Sequence, residues 1–213
     1  MSLKPPIGIL GGTFDPVHNG HLRLAVQLRD LLGLAQVRLI PSARPPHRGA
    51  PAAAPGQRAK WIRVALAGEP NLILDNRELI RSGTSYTVDT LTDLQKELPD
   101  TPLCLAMGDD AFAALDQWHQ WERLLELAHL VVVPRPGVSS KLPPRIAKLL
   151  ADREIKNPAQ LGRARSGHIY HTEFPLLEIS GTEIRDLLRA GKSPRYLLPE
   201  EVLREIKDLE VYH

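Results

Sequence analysis

The chain has 213 residues, of which 43% are hydrophobic and 24% charged, with a formal net charge of +2 and a single cysteine. A chain of that length can bury one sizeable core, and the composition is that of an ordinary globular protein. One cysteine excludes an internal disulfide framework, and so small a net charge gives no support to nucleic-acid binding by the chain as a whole.

The opening Met1-Ser2-Leu3-Lys4-Pro5-Pro6 leads into a short apolar stretch broken by Gly8. Neither a signal-peptide core nor a membrane span is predicted, and the expected location is the cytoplasm. Ile7 to Leu10 reads as a first strand. Leu22, Ala25, Val26 and Leu32 recur at helical spacing up to Gly33, a C-terminal stop, and Val37 to Ile40 reads as the second strand. The proline-rich Pro41 to Gly56 predicts an excursion at a strand end, where α/β sheets hold ligands. Gln57 to Leu66 is predicted helical, Leu72 to Leu74 extended, and Thr87 to Leu98 helical with Val88, Leu91, Leu94 and Leu98 on one face. Strands follow at Leu103 to Met107, where Cys104 reads as a buried core thiol, and at Leu130 to Val133. A helix over Ile146 to Ala151, an extended His168 to Thr172, and helices near Thr182 to Ala190 and Pro199 to Leu209 complete the pattern. The alternation implies a doubly wound, mostly parallel α/β sheet. With no repeat or linker, one domain is expected over 1–213, its helices from about residue 180 forming an appended subregion.

Chemistry concentrates first in Gly11-Gly12-Thr13-Phe14-Asp15-Pro16-Val17-His18-Asn19-Gly20-His21. Here a strand would hand over to a helix through a glycine turn. Gly11 and Gly12 let backbone N–H groups approach an anion, and the helix start adds a positive dipole end. His18 and His21, three residues apart, would share one face. The P-loop lysine is missing, and the glycine spacing does not fit the redox dinucleotide fingerprint. A metal site on Asp15, His18 and His21 is the alternative, as is a plain exposed helix start. Between Asp30 and Glu69 there is no acidic residue, while Arg38, Arg44, Arg48, Arg58, Lys60 and Arg63 fall inside. Such a segment suits a small anionic substrate or a solvated loop and helix face. Ser180 and Glu183 fit a capping box, with Arg185 on the polar face of the helix that follows. Trp118 and Trp121 could serve a flat ring or the core.

These segments together resemble a known family. Gly11 to His21 is similar to the GxFDPxHxGH signature of adenylyl- and cytidylyltransferases, and Ile179-Ser180-Gly181-Thr182-Glu183-Ile184-Arg185 to their ISxTxxR phosphate motif. Arg44-Pro45-Pro46-His47-Arg48 resembles a PPHK loop with arginine in the lysine position, which keeps the charge and adds a forked geometry. Ser85-Tyr86-Thr87, Trp118, the loop Gly108-Asp109-Asp110 and the turn Arg135-Pro136-Gly137 narrow the resemblance to bacterial nicotinate-mononucleotide adenylyltransferases. Pantetheine-phosphate adenylyltransferases and glycerol-phosphate cytidylyltransferases share the first motif, and Ser85-Tyr86-Thr87 with Trp118 argues against them.

The resemblance implies a Rossmann-like nucleotidyltransferase fold and transfer of AMP from ATP to nicotinate mononucleotide, giving deamido-NAD and pyrophosphate. It implies catalytic roles for His18, His21 and Arg185. ATP would be held by Gly11, Gly12, Thr13, Phe14, Gly20, Gly108, Asp109, Ser180, Thr182 and Arg185, and the mononucleotide by Arg48, Thr87, Trp118 and Arg135. Mg²⁺ is the expected cofactor, carried mainly by substrate phosphates and water; the expected partners are ATP and the mononucleotide, with no nucleic acid and no membrane. A mononucleotide phosphate is already anionic, so its attack on the α-phosphorus needs no general base; positioning and charge neutralisation suffice.

Overall fold

Ile7–Gly12 (β1), Val37–Pro41 (β2), Leu72–Leu74 (β3), Leu103–Gly108 (β4), His129–Val133 (β5), Glu154–Ile155 (β6) and Ile169–His171 (β7) form one sheet in the order β3-β2-β1-β4-β5-β7-β6. Each neighbouring pair runs parallel, with β1 set against β2 from Gly8↔Val37 and against β4 from Ile7↔Leu103. In the computed structural model the described residues are 3–43, 50–134, 142–174 and 177–212.

Strands buried on both sides are apolar without interruption, and successive side chains enter opposite layers. Ile7 and Ile9 of β1 and Leu103, Leu105 and Met107 of β4 pack under α4 (Thr87–Glu97) and α7 (Pro144–Arg153). Leu10, Cys104, Ala106, Val131 and Val133 face the other layer. That layer is built from α1 (Asn19–Leu32), α2 (Pro55–Ala65), α8 (Gly181–Arg189) and α9 (Glu200–Asp208). Burial pushes the Cys104 thiol up to about 12, in accord with a core thiol.

The long elements match the expected ones to within two or three residues. On α1 the buried stripe is Leu24, Ala25, Leu28 and Leu32, with Leu22 and Val26 half-buried at its flank. Gly33 at φ 60° ends the helix and returns its N–H to the Arg29 carbonyl, the left-handed stop that glycine adopts without a Cβ penalty. Pro55 starts α2 two residues ahead of the expected position, where a missing N–H costs nothing. Three short helices have no counterpart in the sequence reading: Arg77–Ile80 (α3), Asp109–Ala113 (α5) and Leu124–Leu127 (α6). Four or five residues are too few to show a helical period. Among the described residues no helix is long and apolar enough to cross a membrane.

From β1 the chain winds outward through β2 and β3, then returns to place β4 on the other side of β1. The carboxyl ends of β1 and β4 therefore diverge at a topological switch point, where such sheets open a ligand crevice.

Candidate active site

A cleft of about 1360 Å³ opens there, lined by Gly11 and Gly12 from β1, Gly108 from β4, and residues of α1, α4 and α8. Gly11 and Gly12 prove to be the last two residues of the strand, paired with Ile40 and Pro41, and not a glycine turn. The turn falls at residues 13–17. A Cβ on Gly11 would meet nothing within 4 Å, so its edge of the strand is open to the cleft.

His18 stands just before α1 in extended conformation, and His21 lies one turn in. Their rings stack with centroids 3.6 Å apart at 27°, and the Phe14 ring sits 4.8 Å from that of His21, tilted at 59°. The neighbouring glycines make room for this stack. A Cβ on Gly12 would lie 3.2 Å from the Phe14 ring, and one on Gly20 3.0 Å from His18 Nδ1. Phe14 itself is held at φ 51°, a conformation rare outside glycine. The His18 backbone N–H donates to His21 Nδ1 across 3.3 Å. With that nitrogen accepting, the proton of neutral His21 lies on Nε2. Burial drives the His18 pKa down to about 4, so His18 is uncharged at neutral pH.

Asp15, a candidate metal ligand by residue type, is committed elsewhere. Its carboxylate accepts from the Ala52 N–H at 2.8 Å, the Ala53 N–H at 3.1 Å and the Tyr212 hydroxyl at 2.6 Å. Among the described residues no group of three or more His, Cys, Asp or Glu is arranged to hold a metal ion. On α8, Ser180 caps the helix by accepting from the Glu183 N–H at 3.1 Å, as the capping pattern predicts. Arg185 reaches back, donating to the Asp15 carbonyl at 2.6 Å and to Thr182 Oγ1 at 3.1 Å. Ser180, Gly181, Thr182 and Arg185 thus form one wall of the cleft, with His18 and His21 on another.

At the far end lie Ser85, Tyr86, Thr87, Trp118 and His119. Thr87 begins α4, and the Tyr86 ring packs 4.3 Å from that of His119. Trp118 is half-buried against the core yet faces the cleft, whereas Trp121 packs against the same core and does not line it. From the Gly108 loop the cleft is lined by Gly108 and Asp110. Asp109, the expected ribose ligand, accepts from the Asp110 N–H at the start of α5.

The basic run also behaves differently from expectation over its described part. Arg38 donates to Asp75 at 3.1 Å and Glu97 at 2.9 Å; Lys60 pairs with Glu205 at 3.0 Å. Arg58 is fully buried and donates to the carbonyls of Thr13 at 2.6 Å and Ala53 at 3.3 Å. None of these three, nor Arg63, lines the cleft. The partners of Arg38 and Lys60 lie far off in sequence, and only Arg58 touches the site, by bracing the Thr13 carbonyl. Arg44, Arg48 and Arg135 lie outside the described residues. Sequence reasoning missed Glu78, Thr90 and Tyr212, which carry no motif of their own.

A phosphate-type loop, a histidine pair and an arginine-bearing helix around the switch point of a parallel sheet define a nucleotide-binding α/β protein of the nucleotidyltransferase class. In agreement, residues 9–187 match the family model described as cytidylyltransferase-like. The chain is 49% identical over 210 residues to an Aeromonas hydrophila protein named "Probable nicotinate-nucleotide adenylyltransferase", covering 99% of this chain and 98% of that one. It is 46% identical over 205 residues to the Marinobacter nauticus protein of the same name, covering 96% and 95%. The chain belongs to the nicotinate-nucleotide adenylyltransferase family, within the cytidylyltransferase-like proteins. Its fold is also that of a Plasmodium falciparum nicotinic acid mononucleotide adenylyltransferase, solved in complex with NaAD. The TM-score is 0.76 at 16% identity, covering 98% of each chain.

Proposed function

We infer that this protein transfers the adenylyl group of ATP to nicotinate mononucleotide, releasing deamido-NAD and pyrophosphate, and that it does so as one catalytic domain. The observation that carries the reading is the single cleft that joins His18, His21, Thr182 and Arg185 at one end to Thr87 and Trp118 at the other. Two phosphate-bearing substrates meeting end to end need such a shape. ATP lies along the Gly11–Gly12 strand end, with its triphosphate toward α8. The pyridine ring stacks on Trp118 with Thr87 at its carboxylate, and Arg48 and Arg135 meet the mononucleotide's charges.

The acceptor phosphate attacks the α-phosphorus in line; one P–O bond forms as the bond to pyrophosphate breaks, and no proton need be removed. His21, through Nε2–H, and uncharged His18 donate hydrogen bonds to phosphate oxygens whose charge grows in the transition state. Arg185 and Thr182 hold the departing pyrophosphate. The donor set fits a cation borne by the substrates: Asp15 already accepts three hydrogen bonds, and the described residues hold no cluster of ligands for a metal ion. When bound, Mg²⁺ would neutralise the triphosphate charge. The proposed compartment is the cytoplasm. The test is pyrophosphate release from ATP with nicotinate mononucleotide, nicotinamide mononucleotide, phosphopantetheine or glycerol phosphate offered separately. Fastest turnover with nicotinate mononucleotide supports the reading; equal or faster turnover with phosphopantetheine or glycerol phosphate overturns it.

A further inference from the structure

Helix α3 is four residues long, and the side chain it buries is a carboxylate, that of Glu78. Ile80 at its end is 76% exposed, so apolar packing at that end does not hold the segment down. So short a helix has no stability of its own, and its orientation rests on the ties it makes. Those ties are polar. Thr90 on α4, 2% exposed, donates its hydroxyl to Glu78 Oε1 across 2.7 Å, and Ser85 adds a second side-chain hydrogen bond. From outside, Arg81 donates to Thr90 Oγ1 at 3.0 Å and pairs with Asp93 at 2.5 Å, closing the chain Arg81, Thr90, Glu78. Glu78, Ser85, Thr87 and Thr90 all line the same end of the cleft as Trp118. Burial pushes the Glu78 carboxyl up, opposed by the Thr90 and Ser85 hydroxyls and by Arg81. A carboxylate kept in this wall at such a desolvation cost needs its donors in place, and they sit on either side of Thr87.

We propose that Glu78 is a positioning residue for the mononucleotide: through Thr90 and Ser85 it fixes the Ser85-Tyr86-Thr87 corner and so sets affinity for the acceptor, not for ATP. The proposal rests on the reading of Thr87 and Trp118 as the acceptor end.

Steady-state kinetics and thermal melting of the full chain test it, with Glu78→Ala, Glu78→Gln, Thr90→Val and Thr90→Ser. Glu78→Ala and Thr90→Val should raise KM for nicotinate mononucleotide by about tenfold or more while KM for ATP stays within about twofold. Glu78→Gln keeps an oxygen to accept the Thr90 hydroxyl and Thr90→Ser keeps the hydroxyl, so both should stay within about threefold of the parent. If Glu78→Ala does not fold, the Thr90 pair and Glu78→Gln decide alone. An unchanged mononucleotide KM in Thr90→Val, equal rises in both KM values, or a Glu78→Gln as impaired as Thr90→Val would overturn the proposal. Failure of the parent enzyme to use nicotinate mononucleotide would instead sink the underlying reading, and the two failures are told apart by the parent's own activity.

Discussion

Tyr212 and Asp15 stand 197 residues apart in sequence, and the tyrosine hydroxyl donates to the aspartate carboxylate across 2.6 Å in a buried setting. The carboxylate also receives the Ala52 and Ala53 N–H groups, and the carbonyl of the same residue receives Arg185. Asp15 is therefore where the signature loop, the loop after β2, α8 and the carboxy-terminal segment are tied together. The Tyr212 ring, 6.1 Å from that of Trp61, keeps the contact covered.

Tyr212→Phe removes that one hydroxyl and keeps the ring. A hydrogen bond to a charged, buried acceptor is worth about 2 kcal/mol, which for a domain of this size lowers Tm by roughly 4 to 8 °C. Thermal unfolding of the two proteins side by side measures it. A Tm unchanged within about 1 °C would show that the tie contributes nothing to stability.

His18 gives a pH signature. Its folded pKa of about 4 lies below the ordinary 6.5 because the ring is buried. As pH falls through 6.5 the unfolded chain takes up a proton that the folded chain refuses until about pH 4. Stability is thus complete above the unfolded value and declines between the two, by up to about 3 kcal/mol. Denaturant unfolding near neutrality and at about pH 4.5 should show a steeper loss for the parent than for His18→Asn. His129, also held low by burial, contributes equally to both proteins. Parallel declines would mean that His18 does not titrate out of the core as its burial implies.

Much of this was legible in the sequence because it is local. Leu103 to Met107 and Leu130 to Val133 are uninterrupted apolar runs, and Gly33 needs only its own φ to end a helix. Ser180 needs only Glu183 three residues on. The cleft followed from the alternation of strands and helices, since a doubly wound sheet opens at its switch point. What escaped depends on distant partners. Arg38 and Lys60 belong to a basic run that suited either an anionic substrate or a solvated face, and only in the fold do Asp75, Glu97 and Glu205 come to meet them. Glu78 sits in a segment too short to have a period, and Tyr212 acquires its meaning only when the last residues fold back onto Asp15.

The two tryptophans should separate cleanly. Trp118 faces the cleft and Trp121 does not. Loss of a base-type stacking platform costs about 1 to 3 kcal/mol, so Trp118→Ala should raise KM for nicotinate mononucleotide roughly five- to hundredfold, with a small effect on KM for ATP. Trp121→Ala should instead lower Tm and leave the mononucleotide KM close to the parent's. The reverse pattern would move the stacking role to Trp121 and leave Trp118 as a core residue.

His21 carries the strongest expectation for catalysis. Its Nδ1 accepts from the His18 backbone, which directs Nε2–H away from the helix start, and the Phe14 and His18 rings both pack against it. A donor preorganised in this way strengthens as charge develops on the reacting phosphate. His21→Ala should therefore lower kcat by roughly a hundred- to a thousandfold, the range for loss of one such donor. KM for ATP should change far less, because the interaction is made mainly in the transition state. The stack implies a structural cost as well: the His18 N–H loses its acceptor and two ring contacts go, for about 1 to 3 kcal/mol. At an assay temperature well below the variant's Tm that cost leaves the enzyme folded and the kcat loss intact. His21→Asn offers a donor of shorter reach that cannot carry charge, so partial activity in that variant assigns the role to hydrogen bonding and not to a protonated ring. A near-normal kcat in the alanine variant, or a loss of activity that tracks its unfolded fraction, would remove His21 from the reaction.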